Sequence, residues 1–115
     1  MKYYKVKDWD DKYEIAQSRR YKSMSWVAIP NKHTTNGYAA VSQHPCAVEL
    51  FCAFILIVEV ASTLKKRGTL ISAGGHAITA KNLAFITRYP EHIFQRAFDE
   101  LIKPEIGWLE LVEKH

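Results

Sequence analysis

Gln95 and Arg96 are adjacent side chains able to make bidentate hydrogen bonds to the edges of adenine and guanine, and His92, one helical turn earlier, can reach a base or a phosphate. They fall in residues 91–103, where Ile93, Phe94, Ala97, Phe98, Leu101 and Ile102 recur at the period of a helix with one buried stripe. Burying that stripe turns Glu91, His92, Gln95, Arg96, Asp99, Glu100 and Lys103 outward. Glu91, Asp99 and Glu100 would repel a phosphate backbone, so the same arc also reads as an ordinary solvated face.

A second group of cations comes earlier. Arg19, Arg20, Lys22 and Lys32 are interleaved with Tyr13, Tyr21 and Trp26, and Lys2, Lys5 and Lys7 precede them. Such a mixture can neutralise phosphates and stack on bases, although the aromatics can equally pack on the core. Residues 1–35 hold eight Lys/Arg against four Asp/Glu, and the rest of the chain holds eight of each, so the whole net charge of +4 lies in the first third. With Lys81, the candidate DNA-binding set is Arg19, Arg20, Lys22, Lys81, His92, Gln95 and Arg96.

Other chemistries lack their patterns. Cys46 and Cys52 sit roughly 240° apart around one helix, so they do not pair with each other and read as buried free thiols. His33, His44, His76 and His92 lie in separate segments without metal-ligand spacing. Ser42 and His44 lack a partner carboxylate and a glycine-flanked elbow, while Glu49 and Glu59 project in different directions. Gly74-Gly75 is too short for a dinucleotide fingerprint, and Lys66-Arg67-Gly68-Thr69 lacks the spacing of a phosphate loop. The expectation is a non-enzymatic protein with no cofactor and no metal.

These side chains need elements to hold them. Of the 115 residues, 48% are apolar and 24% charged, proportions that fit one globular core. The pattern predicts a short helix over 13–20 and a strand over 25–29 ended by Pro30. Next come a polar connector with a brief helix at 38–41 and a long helix from Pro45 to about 65. That helix is apolar on nearly every face and must be enclosed, at the domain centre or by self-association through part of the Phe51, Phe54, Ile55 and Val58 surface of residues 46–64. Its run at 50–58 falls well short of the roughly 20 residues that cross a bilayer.

Lys65, Lys66, Arg67 and Gly68 stop the helix, and segments 69–71 and 76–78 flank the hairpin signal Ser72-Ala73-Gly74-Gly75. Thr79 caps a helix over 80–87 that buries Leu83, Ala84 and Ile86. Arg88-Tyr89-Pro90 turns the chain into the amphipathic helix, Pro104 follows it, and residues 107–112 alternate as a strand with Leu109 and Leu111 on one face. Helix, tight turn, longer helix and strand are in helix-turn-helix order, in which the second helix enters the major groove. The predicted organisation is a basic arm with a short helix at 1–24, a mainly α winged-helix domain with a small sheet at 25–112, and a tail at 113–115. No apolar leader precedes it, so a cytoplasmic location is expected.

Ser25-Trp26-Val27-Ala28-Ile29-Pro30, the long apolar helix, Arg67-Gly68-Thr69-Leu70 and Ile78-Thr79-Ala80-Lys81-Asn82-Leu83-Ala84 occur in a recognisable order. With Ala97-Phe98-Asp99-Glu100-Leu101-Ile102 leading to Gly107-Trp108-Leu109, the chain over 26–112 resembles the N-terminal winged-helix domain of phage and prophage replisome-organiser (DnaD-like) replication initiation proteins. The resemblance implies origin or single-strand DNA binding, self-association and contacts with helicase-loading replication proteins. Two departures stand out: no second wing strand follows Val112, and the presumed recognition helix is acidic as well as basic. Two alternatives are a winged-helix protein-interaction module and a ligand-sensing transcription regulator. The last would need a pocket beside Phe51, Phe54 and Trp108.

Overall fold

The computed structural model describes residues 1–15 and 25–114. Lys2–Val6 form a strand, β1, which pairs antiparallel with β2, Leu109–Glu113, from Lys2 opposite Glu113 to Val6 opposite Leu109. Between them come α1 (Trp9–Lys12), α2 (Asn36–Ser42), α3 (Ala47–Thr63), α4 (Ala80–Thr87) and α5 (Glu91–Glu100). The chain is thus mainly helical with a small antiparallel sheet. Lys2 and Lys5, read from sequence as arm cations, lie on a strand of that sheet.

The free edge of β1 is also used. Val6 N donates to Gly68 O at 2.8 Å and Leu70 N to Tyr4 O at 2.8 Å, with an isolated bridge between Lys5 and Thr69. The hairpin expected around 72–75 reduces to one bridge, Ile71 with Ala77, closed by Ser72 N donating to His76 O at 2.8 Å. Both sides of β1 are therefore occupied. The strand expected at 25–29 does not form, and Trp26 is exposed. Its β-forming residues have no edge of β1 to join, and strand propensity without a partner does not make a strand.

α3 is the central element. Leu50, Ala53, Ile57, Val58 and Ala61 are buried along it, and its strongest packing is with α5. Of the surface considered for self-association, Phe54 and Val58 are buried and Ile55 is half-buried. Exposure concentrates at the helix start, on Phe51 and on Val48, which is 84% exposed. Cys46 and Cys52 are free thiols, but half-buried rather than enclosed. In β2, Leu109 is buried with Val6 in the core, whereas Leu111 is exposed instead of sharing Leu109's environment.

The helix expected over 13–20 is replaced, in the described part, by α1, which stops at Lys12. Glu14 is instead drawn inward, where Trp9 Nε1 donates to its Oε2 at 2.6 Å. Arg67 forks onto the same carboxylate, Nε to Oε2 at 2.8 Å and Nη2 to Oε1 at 3.1 Å. The Glu14 side chain is 3% exposed and that of Arg67 13%. A charge so placed is tolerated because it is paired and hydrogen-bonded. Next to it Gly68 has φ +91° and lies against the Trp9 ring, where a Cβ would come within 2.5 Å of Trp9 Cγ.

Tyr13 stacks on Trp9 with ring centroids 4.9 Å apart, and burial pushes its phenol up from 10.0 to about 12. Between those values the unfolded chain sheds the proton and the folded protein keeps it, so stability falls as pH rises through that window. The loss expected is about 2 kcal/mol. Tyr13→Phe removes it, leaving the falls from Tyr4, whose pKa is raised by burial and by Asp99, and from Lys103, whose pKa is raised chiefly by its hydrogen bond to Glu100. Urea midpoints on either side of the window check this, and an unchanged pH dependence in Tyr13→Phe would count against it.

Candidate nucleic-acid interface

α4 starts where a reciprocal cap fixes it. Thr79 Oγ1 accepts from Asn82 N at 3.1 Å while Thr79 N donates to Asn82 Oδ1 at 2.9 Å. It ends at Arg88 with φ 65°, and Pro90 is the N-cap of α5. Ile93, Phe94, Ala97 and Phe98 are buried against α3 and α4 as their spacing predicts. On α4, Leu83 is buried and Ala84 half-buried, but Ile86 is exposed.

The candidate contacts on α5 split into two rows. His92, Arg96 and Glu100, four residues apart, face the beginning of α3 and the turn before it. Arg96 Nη1 lies 3.2 Å from Glu49 Oε2 and 3.0 Å from Cys46 Sγ, and His92 Nε2 lies 3.5 Å from the same Glu49 oxygen. Glu100 accepts from Lys103 at 2.7 Å and sits 3.7 Å from His44, and the Lys103 hydrogen bond leads the causes that hold its carboxyl below the usual carboxylate range. The outward row is Glu91, Gln95 and Asp99, with Gln95 Nε2 donating to Asp99 at 3.3 Å.

The first row is self-compensated and the second is acidic at both ends. Arg96 is thus less available to a guanine than the sequence implies, because Glu49, 47 residues earlier, already engages it. Glu100 likewise leaves the repulsive arc, since Lys103 and His44 engage it. Lys81 is exposed and makes no ion pair among the described residues. Arg19, Arg20 and Lys22 lie outside the described residues.

A different strip emerges on α4. Positions 81, 85 and 88 follow one helix face, and Tyr89 comes next, just after the left-handed C-cap at Arg88. Phe85 is 87% exposed and Tyr89 48%, between the exposed cations Lys81 and Arg88. Neither cation has an ion-pair partner among the described residues. The signal was present in the sequence, since burying Leu83 turns 81, 85 and 88 away from the core.

Among the described residues no group of three or more His, Cys, Asp or Glu could hold a metal ion, and no helix is long and apolar enough to cross a membrane. Comparisons with family models, curated proteins and solved structures give no match.

Proposed function

We propose that the chain is a non-enzymatic DNA-binding and assembly domain of a phage-type replication initiation protein, built as a winged helix. The order α3, residues 69–71, α4, α5 and β2 supports that arrangement, with β1 lying between residues 69–71 and β2. β1, paired with β2, takes the position that a second wing strand would occupy, which supports this reading despite the lack of a strand after β2.

The observation that carries the nucleic-acid reading is the Lys81, Phe85, Arg88, Tyr89 strip. Exposed rings between unpaired cations fit a strand whose bases are open to stacking, while the acidic outer row of α5 is poorly suited to a duplex groove. Single-stranded DNA is therefore the favoured ligand. Phe85→Ala is expected to weaken its binding about tenfold. Lys81→Ala with Arg88→Ala should make the log–log dependence of affinity on salt shallower by about 1.4. Fluorescence anisotropy of a labelled oligothymidylate reads both effects, and wild-type affinity and slope in all variants would remove α4 from the interface.

Assembly is favoured by a separate feature, the exposed Val48 beside an apolar cleft of about 370 Å³ between α2 and α3, lined by Tyr38, Val41, Phe51 and Cys52. Concentration-dependent mass in sedimentation without nucleic-acid affinity would leave assembly as the function.

A further inference from the structure

A second cleft, of about 450 Å³, lies where the end of α1 and the residues on either side of that helix meet residues 29–35, α2 and α3. That volume is in the range of pockets that enclose small organic ligands. We propose that it binds a small, flat aromatic anion. The inference does not rest on nucleic-acid binding by α4.

Aromatic rings make the walls: Tyr13 after α1, Tyr38 on α2, Phe51 and Phe54 on α3, and Trp108 just before β2. They hold one another in place. Phe51 meets Trp108 edge-on with centroids 6.3 Å apart, Tyr38 meets Phe51 in the same way at 6.3 Å, and Phe54 lies 4.8 Å from Trp108. Rings positioned by their neighbours lose little freedom when a ligand enters, which favours a flat, apolar body.

Charge selects the sign. Lys7, Lys12 and Lys32 line the cleft with His33, and Asp11 is the one acid among its described lining residues. Lys12 is engaged by Asp8 at 3.7 Å, but Lys7 and Lys32 are exposed and have no ion-pair partner among the described residues. Two uncommitted cations beside a low-dielectric wall attract an anionic group.

Polar groups are also waiting. Tyr13 is only 7% exposed, and its hydroxyl makes no hydrogen bond among the described residues, so it can donate to water or to an occupant of the cleft. Trp108 Nε1 likewise makes no hydrogen bond among the described residues. Gly37 packs closely against it, since an added Cβ there would lie 2.9 Å from Nε1, so the glycine fixes where the indole sits. A hydroxyl and an indole N–H in an aromatic cleft with lysines nearby can orient a carboxylate or a phosphate on a ring.

The test uses the whole chain and 2-naphthoate, followed by nitrogen–proton NMR. The Trp108 indole N–H and the Gly37 and Gly107 amides should shift together and saturate, with half-saturation at about 1 mM or below. Neutral 2-naphthamide should bind more weakly, and Lys7→Gln with Lys32→Gln should weaken naphthoate about fivefold without altering the spectrum elsewhere. Equal binding of acid and amide, or small shifts scattered over the molecule without saturation, would overturn the proposal. So would displacement of naphthoate by a short oligothymidylate at lower concentration, because the cleft would then belong to a nucleic-acid strand.

Discussion

Glu14→Ala is expected to lower the unfolding free energy by about 3–5 kcal/mol, because it removes the buried carboxylate to which the Arg67 guanidinium and the Trp9 indole N–H both bond. The effect is larger than for a surface ion pair, since the two side chains are 3% and 13% exposed and the fork geometry is well formed. Glu14→Gln should cost less, because an amide oxygen still accepts one of these bonds. Urea unfolding of the three proteins measures the series. Equal stability of Glu14→Ala and wild type would mean that the pair is solvated and contributes nothing.

Gly68→Ala is the second large effect. At φ +91° a side chain is strained, costing about 1–2 kcal/mol. The new methyl would also lie 2.5 to 2.8 Å from Trp9 Cγ, Cβ and Cδ2, so the ring must move, for about 1–3 kcal/mol more. Gly75 separates the two contributions. It has φ +82° with nothing within 4 Å of an added Cβ, so Gly75→Ala should show the strain alone. Comparable thermal shifts in the two variants would rule out the contact with Trp9 as the cause. Both large predictions concern one junction, where α1 and the segment after α3 fasten β1 to the helices, and their effects should not be additive.

What could be read in advance follows from how local each signal is. Thr79 with Asn82, Pro90 and the apolar stripe of α5 act within a few residues of one another, and they place α4 and α5 where the sequence predicts. The apolar run of α3 declares a central helix for the same reason. β1 is different: Lys-Tyr-Tyr-Lys-Val has only Tyr3 and Val6 buried, and its partner β2 lies at the other end of the described chain. The Glu14–Arg67 pair spans 53 residues and the Arg96–Glu49 pair 47. No local pattern announces either. For this reason Arg96 reads from sequence as able to contact a guanine, whereas the exposure of Lys81, Phe85 and Arg88 follows from helix geometry once Leu83 is buried.

Residues 25–29 carry a local signal that the fold does not use. Their aromatic and β-branched side chains suit a half-buried pleated surface, but propensity cannot supply an edge to pair with. With β2 and residues 69–70 flanking β1, the segment runs as irregular chain toward Ile29 and Pro30, which line the larger cleft.

The most direct measurement is the anisotropy of a labelled single-stranded oligonucleotide titrated with the protein at low and at moderate salt, with a duplex of the same sequence in parallel. Binding that tightens as salt falls, and that favours the single strand over the duplex, is the predicted result. No change in anisotropy up to about 100 µM protein at low salt would contradict it.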